Sequence, residues 1–414
     1  MSPTSKPLSI PALSLCGLGL LAAACASSPG PETKPEQPWE RHAIDASSQG
    51  ADGVRPADVN GDGLLDFATG WEEGGTVRAY LNPGPSDAPQ RWPAVTVGQV
   101  GSPEDAVFAD LDGDGAWDVI SSTEGHTDAL YVHWAPADPA RYLDASAWTT
   151  APIPASQGLT KWMFALPAQI DGQRGVDFFA GSKGSPAFIG WWQSPDDPRD
   201  LQAWTWRPLY QAGWMMSLIQ HDVDGDGDPD LVASDRREGR RGLLWLENPG
   251  AAEAEGPWAE HRVGPVDRDE VMFMTIADLD QDGLDDMLAA SKDGPLLFYR
   301  RLPGTAEWER HEIAMPASAG TGKAVAVADL DLDGRLDLAF TCEHAEDGKA
   351  GAMWLSFEES PFDPVWKEHP LSGPEGIKFD RIELLDLDAD GDLDLITCEE
   401  RDNLGVIWYE NPTR

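Results

Sequence analysis

The chain is short of positive charge, of helical patterning and of long apolar runs. It carries 30 Lys and Arg against 72 Asp and Glu, a formal charge of −42 over 414 residues. That acidity excludes nucleic acid and anionic lipid surfaces as natural partners. Sustained apolar repeats of helical period are absent, which excludes a helical bundle. Beyond the first 24 residues no apolar run approaches the ~20 residues of a membrane-spanning helix. Cysteine is scarce, with four in all. No Ser-His-Asp elbow, CxxC site, P-loop or dinucleotide fingerprint occurs.

Aspartate at fixed spacing is what the chain has in excess. The pattern Asp-x-Asp/Asn-x-Asp-Gly-x-x-Asp recurs in six intact copies. Positions 1, 3, 5 and 9 offer side-chain oxygens, and position 7 offers a carbonyl. The candidate ligands of the first copy are Asp58, Asn60, Asp62, Leu64 and Asp66; those of the second are Asp110, Asp112, Asp114, Ala116 and Asp118. Next come Asp222, Asp224, Asp226, Asp228 and Asp230, then Asp278, Asp280, Asp282, Leu284 and Asp286. The last two copies give Asp329, Asp331, Asp333, Arg335 and Asp337, and Asp386, Asp388, Asp390, Asp392 and Asp394. Oxygen-only ligands at this density suit a hard cation, calcium before magnesium. The Gly at position 6 permits the sharp turn. A degraded copy at Gln169–Asp177 lacks two carboxylates and has Arg174 in place of that Gly. It is expected to hold no ion.

An EF-hand needs a bidentate Glu at position 12 and flanking helices. Position 12 here is Thr69, Ser121, Ala233, Ala289, Phe340 or Thr397. Short apolar runs flank each loop, such as Ala106-Val-Phe-Ala before one and Asp118-Val-Ile-Ser in the same repeat, so each loop is a hairpin tip between strands. This strand–loop–strand unit resembles the FG-GAP/VCBS repeat of integrin-α-type β-propellers. The resemblance covers residues 38–414. It implies structural calcium, about six ions, and leaves activity open because one fold hosts many functions.

The N-terminal 1–24 reads as a signal peptide, with Lys6 followed by the apolar Leu8–Ala24. Leu21-Ala-Ala-Ala-Cys25 resembles a bacterial lipobox, with Cys25 as the lipidated residue. Residues 25–37 are a Pro-rich tether. The expectation is an exported, monomeric chain held in the bacterial cell envelope, at the outer membrane on its periplasmic or surface side, through the lipid on Cys25 only.

The loops recur every 50-odd residues. A second signature, Trp-x-x-x-x-aliphatic, keeps the same register from Trp39…Ile44 to Trp366…Leu371, with His42, His261, His311 and His369 three residues after Trp. Each repeat thus has four strands. A enters the loop, B leaves it, C carries Trp or Tyr, and D carries Trp-x-x-His. Seven such repeats predict an all-β, seven-bladed β-propeller of four-stranded antiparallel blades. The order opens on a D strand and ends on a C strand, so the N-terminal strand closes blade 7. The Trp residues are expected to pack between blades, with stacking of a few on carbohydrate as the lesser reading. Cys342 and Cys398 end equivalent B strands, about 10 Å apart by strand spacing and seven-fold geometry. That is beyond disulfide reach.

The Asp loops occupy one face. The starts of A and ends of B share the other, around the central channel, and they are densely charged. Candidates for acid–base chemistry there are Glu104, Lys161, Glu270, Lys323, Lys378 and Asp380. A solvated rim of compensating charges is the competing reading. Two functional classes stay open. One is a calcium-stabilised binding or scaffold module for a glycan, small sugar or protein. The other is a channel-face lyase or dehydratase on a sugar or polysaccharide. A quinone dehydrogenase is disfavoured, because the calcium loops face away from the channel.

Overall fold

The structure, a computed structural model, describes residues 36–125, 127–237 and 239–414. The expected signal peptide, most of the tether and Cys25 lie outside the described residues. Among those described, no helix is long and apolar enough to cross a membrane.

Residues 37–414 form one compact unit of antiparallel sheets. The first repeat shows the common plan. Ala51–Ala57 enters the loop, Asp66–Trp71 leaves it, and Thr76–Tyr80 and Ala94–Gln99 complete the sheet outward. Ala57 pairs with Asp66 beside the loop, and Ala51 with Trp71 at the far end. The two ends of strand A therefore serve opposite faces.

The expectation of seven blades is corrected. Among the described residues there are six sheets, five of four strands and one of six. The six-stranded sheet spans the third and fourth repeats and contains two 17-residue strands, Asp177–Gln193 and Thr205–His221. Thr205–His221 pairs through its first half with Asp177–Gln193 and through its second with Asp230–Asp235. Elsewhere a loop separates strand D from the next A. Here Gly213 and Trp214 donate their amides to the Asp235 carboxylate at 2.7 and 2.9 Å. Only Gly fits the first position, since a Cβ there would stand 2.2 Å from Cβ of Arg237. The clamp keeps the chain extended, and hydrogen bonding runs from one repeat into the next.

The chain ends meet. Glu40–Asp45 pairs antiparallel with Gly405–Glu410, with His42 opposite Trp408 and Asp45 opposite Val406. It is the outer strand of the last sheet, covering an edge that would otherwise expose unpaired backbone groups. Asp45 is buried and ties this seam to the first sheet through Arg78, Arg91 and the Tyr80 hydroxyl.

Side chains of neighbouring sheets interdigitate to form the core. Ala68, Val77 and Val95 of the first sheet pack with Phe108, Val119 and Trp148 of the second. Trp71, Trp162, Trp191, Trp192 and Trp408 are fully buried, as inter-sheet packing requires. Cys342 and Cys398 are buried free thiols.

Candidate functional site

All six intact loops share one hydrogen-bond scheme. The position 6 amide, always Gly, donates to the position 1 carboxylate, as Gly63 does to Asp58 at 3.0 Å and Gly283 to Asp278 at 2.9 Å. The position 5 amide reaches the position 3 side chain, and the position 7 amide the position 5 carboxylate, as in Asp282 to Asp280 and Leu284 to Asp282. These bonds turn the carboxylates toward one point. In Asp110/Asp112/Asp118, Asp222/Asp224/Asp230 and Asp278/Asp280/Asp282, one oxygen from each residue lies within 4.8 Å of the others. The donor set fits a hard divalent cation. Arginines already approach some loops. Arg300 reaches Asp280 at 2.5 Å and Asp282 at 2.8 Å, and Arg199 reaches Asp112 at 2.5 Å.

Two features of the loop escaped sequence reasoning. Position 4 is left-handed as well as position 6. Glycine fills it in three intact loops, but Gln281, Leu332 and Ala389 adopt φ of 55, 59 and 62° there. Position 9 is a staple. Asp66 accepts from the amides of Val59 and Asn82, at 3.0 and 2.8 Å, tying the loop to the end of strand C. Asp118, Asp230, Asp286 and Asp394 repeat this pairing. Burial pushes these carboxyls up, Asp66 to about 6 and Asp118 to about 8, against the pull of the amides.

The degraded loop is closed by its own side-chain hydrogen bonds. The Gln169 amide nitrogen donates to the carbonyl oxygens of Gly175 at 2.9 Å and Gln173 at 3.4 Å, while its oxygen accepts from Gly172. The Gly175 carbonyl is at position 7, one of the expected metal ligands. Gln193 donates to Asp171 at 2.6 Å, and Arg174 turns outward to Asp196. Asp177 keeps its staple to Ile170 and Ser194.

At the other end of the A strands lies a cavity of about 330 Å³. Glu104, Lys323, Lys378 and Asp380 of the expected candidates line it, together with Asp52, Glu72, Glu124, Lys183 and Glu343. Lys161 stands exposed at the rim, 3.9 Å from Glu124. Glu270 lies outside, bound to Arg236 and Arg241 in a separate groove. The apolar walls, Met163, Phe164, Trp214, Met216 and Phe273, come from inner strands. Sequence offered no signal to separate these from ordinary core residues.

The cavity's charges are buried and interlocked. Lys183 bridges Glu104 at 3.1 Å and Glu124 at 2.7 Å, and Lys323 holds Glu343 at 2.8 Å. Lys378 pairs with Glu400. Burial raises Glu104 to about 8 despite Lys183, with Glu124 and Glu72 adding to the rise. Burial, then the neighbouring Asp380 carboxylate, pushes Asp52 well above the carboxylate range. Burial opposes ionisation of Asp380 too, but Lys323, a hydrogen bond from Asp52 and Lys378 hold it below its usual value. Burial opposes ionisation of Glu343 as well, but Lys323, with Lys378 and Arg236 behind it, brings the carboxyl down to about 2. Lys323 is only 7% exposed. Its removal would strand a buried Glu343 carboxylate, at a cost of about 3–5 kcal/mol. It therefore cannot serve as a silent probe of the channel.

The outer His residues stack on aromatic partners across the strand pair. His369 lies 3.6 Å from the Trp354 ring at 8°, and His261 lies 4.0 Å from Trp245 at 13°. They are packing groups remote from the channel lining.

Among protein-family models, that of the FG-GAP-like repeat matches residues 58–121 and 278–340. No curated protein matches the chain. Among solved structures it is similar to the crystal structure of the Saccharomyces cerevisiae Sqt1, at 11% identity and a TM-score of 0.49, over 91% of this chain and 99% of that one.

Proposed function

We propose that this chain, which carries FG-GAP-like repeats arranged as a β-propeller, is a calcium-stabilised binding module of the cell envelope. FG-GAP repeats often bind calcium, and the acidic clusters of the loops supply the oxygen donors such ions need. Calcium would be structural here. It would neutralise carboxylates that otherwise repel, on the face opposite the channel.

The ligand site is the channel cavity. The observation that carries this reading is the concentration of buried charge there. A mere solvated rim would leave its charges in water, whereas Glu104, Lys323 and Asp380 are each at most 7% exposed. Trp214 adds an aromatic wall under the Lys183 and Arg236 cations. Such a polar, concave site suits a hydroxylated ligand, a glycan or small sugar, better than a flat protein surface. Envelope attachment rests on the sequence around Cys25.

The test is a calorimetric screen of neutral and acidic oligosaccharides in calcium buffer. A hit should lose at least tenfold affinity in Lys378→Gln and in Trp214→Leu while both variants melt within a few degrees of the parent. A hit bound equally well by both variants would place the site elsewhere. Lipid labelling that persists in Cys25→Ser would remove the anchor.

A further inference from the structure

We propose that the channel binds a divalent cation of its own, held by Asp52, Glu72 and Glu104 with Asp380 beside them, on the face opposite the Asp loops. One carboxylate oxygen from each of Asp52, Glu72 and Glu104 lies within 4.8 Å of the other two. The three come from different places in the chain. Asp52 lies in the first A strand, Glu72 follows the first B strand, and Glu104 lies in the second A strand. Asp380 joins them from the last repeat, across the seam where the ring closes.

Seven carboxyl groups interact here, those of Asp52, Glu72, Glu104, Glu124, Glu343, Asp380 and Glu400, with Lys161, Lys183, Lys323 and Lys378, and Arg236, Lys292 and Arg401 also line the cavity. The first four cations are already placed. Lys183 serves Glu104 and Glu124, Lys161 faces Glu124, Lys323 serves Glu343, and Lys378 serves Glu400. No ion pair to Asp52 or Glu72 occurs among the described residues. Among the described residues these two also lack the backbone amide donors that orient the carboxylates at positions 1, 3 and 5 of the Asp loops.

An independent observation points the same way. Asp380 is 6% exposed and lines the cavity, and its Oδ1 has no N–H or hydroxyl donor, so the neighbouring Asp52 carboxyl is the group it faces. A buried carboxylate oxygen left without a donor is costly. A cation bridging Asp380 and Asp52 would satisfy it and would relieve the repulsion between them. Oxygen-only donors favour calcium, then manganese or magnesium.

The test counts ions by elemental analysis after equilibrium dialysis against calcium. Three proteins are compared: the full chain, Asp52→Asn/Glu72→Gln, and the loop variant Asp278→Asn/Asp280→Asn. Each variant should lose one ion, and their combination two. Should the double channel variant fold poorly, Glu72→Gln alone should weaken one site at least tenfold by calorimetry and leave the rest unchanged. An unchanged count in the channel variant, with a raised melting temperature, would overturn the proposal, because shared protons would then neutralise the cluster. Loss of an ion only in the loop variant overturns the channel site and leaves the calcium loops standing. Loss only in the channel variant does the reverse.

Discussion

The loops at 169–177 and 278–286 have one backbone plan and opposite electrostatics. Both are hairpin tips with a left-handed residue at position 4, Gly172 or Gln281, and another at position 6, Arg174 or Gly283. In both, the position 9 carboxylate is stapled to the amide of position 2 and to the end of strand C. In the third loop a neutral Gln169 amide fills the centre with its own donors. In the other, Asp278, Asp280 and Asp282 converge, and Arg300 pairs with the last two. The fold of the loop is therefore separable from its charge. Position 9 serves the fold, and positions 1, 3 and 5 serve the ion.

Removing the ions should have the largest effect. A site held at a hundred times its dissociation constant adds about 2.7 kcal/mol. Six such sites together exceed the net stability of most domains, roughly 5–15 kcal/mol. Chelation should therefore unfold the chain or lower its melting temperature by tens of degrees, read by circular dichroism. A melt insensitive to chelator would mean that the loops fold as the third one does, without ions.

Asp177→Ala isolates the staple. It leaves the buried amides of Ile170 and Ser194 without acceptors, at about 1–3 kcal/mol each. Chemical denaturation should show a loss of roughly 3–5 kcal/mol, with no change in bound calcium. A drop in the ion count would make the third loop a metal site after all.

Restoring the pattern is the converse experiment. Gln169→Asp, Gln173→Asp and Arg174→Gly together should add one calcium ion per chain. In chelator the same variant should be less stable than the parent by about 1–3 kcal/mol, having exchanged internal hydrogen bonds for repulsion. An unchanged ion count would show that spacing and carboxylates do not suffice.

The smallest effect concerns position 4. Leu332 is held at φ 59° with its side chain 38% exposed. Leu332→Gly should stabilise by about 1 kcal/mol, since left-handed backbone costs a Cβ-bearing residue about that much. A destabilised variant would mean that the Leu side chain packs usefully in that loop.

The repeats were legible because spacing alone carried them. A nine-residue pattern that reappears with a Trp-x-x-His strand in constant register reports four strands per unit and the exchange of the first strand into the last sheet. The blade count was not legible. It changed where Asp235 clamps Gly213 and Trp214, and no residue near 213 announces that a turn is missing. The role of the outer His residues was half visible, since His42 and Trp408 become neighbours only when the chain ends pair. The charged channel could be located from the ends of strands A and B. Which charges face the cavity could not, because Glu270 and Glu104 occupy similar places and only Arg236 and Arg241 draw Glu270 away.

Anomalous scattering from crystals grown in calcium would test the central claim most directly. Peaks are expected within the loops at 58–66, 110–118, 222–230, 278–286, 329–337 and 386–394, and none within 169–177. Peaks in two or fewer of the six, or a peak beside Gln169, would contradict it.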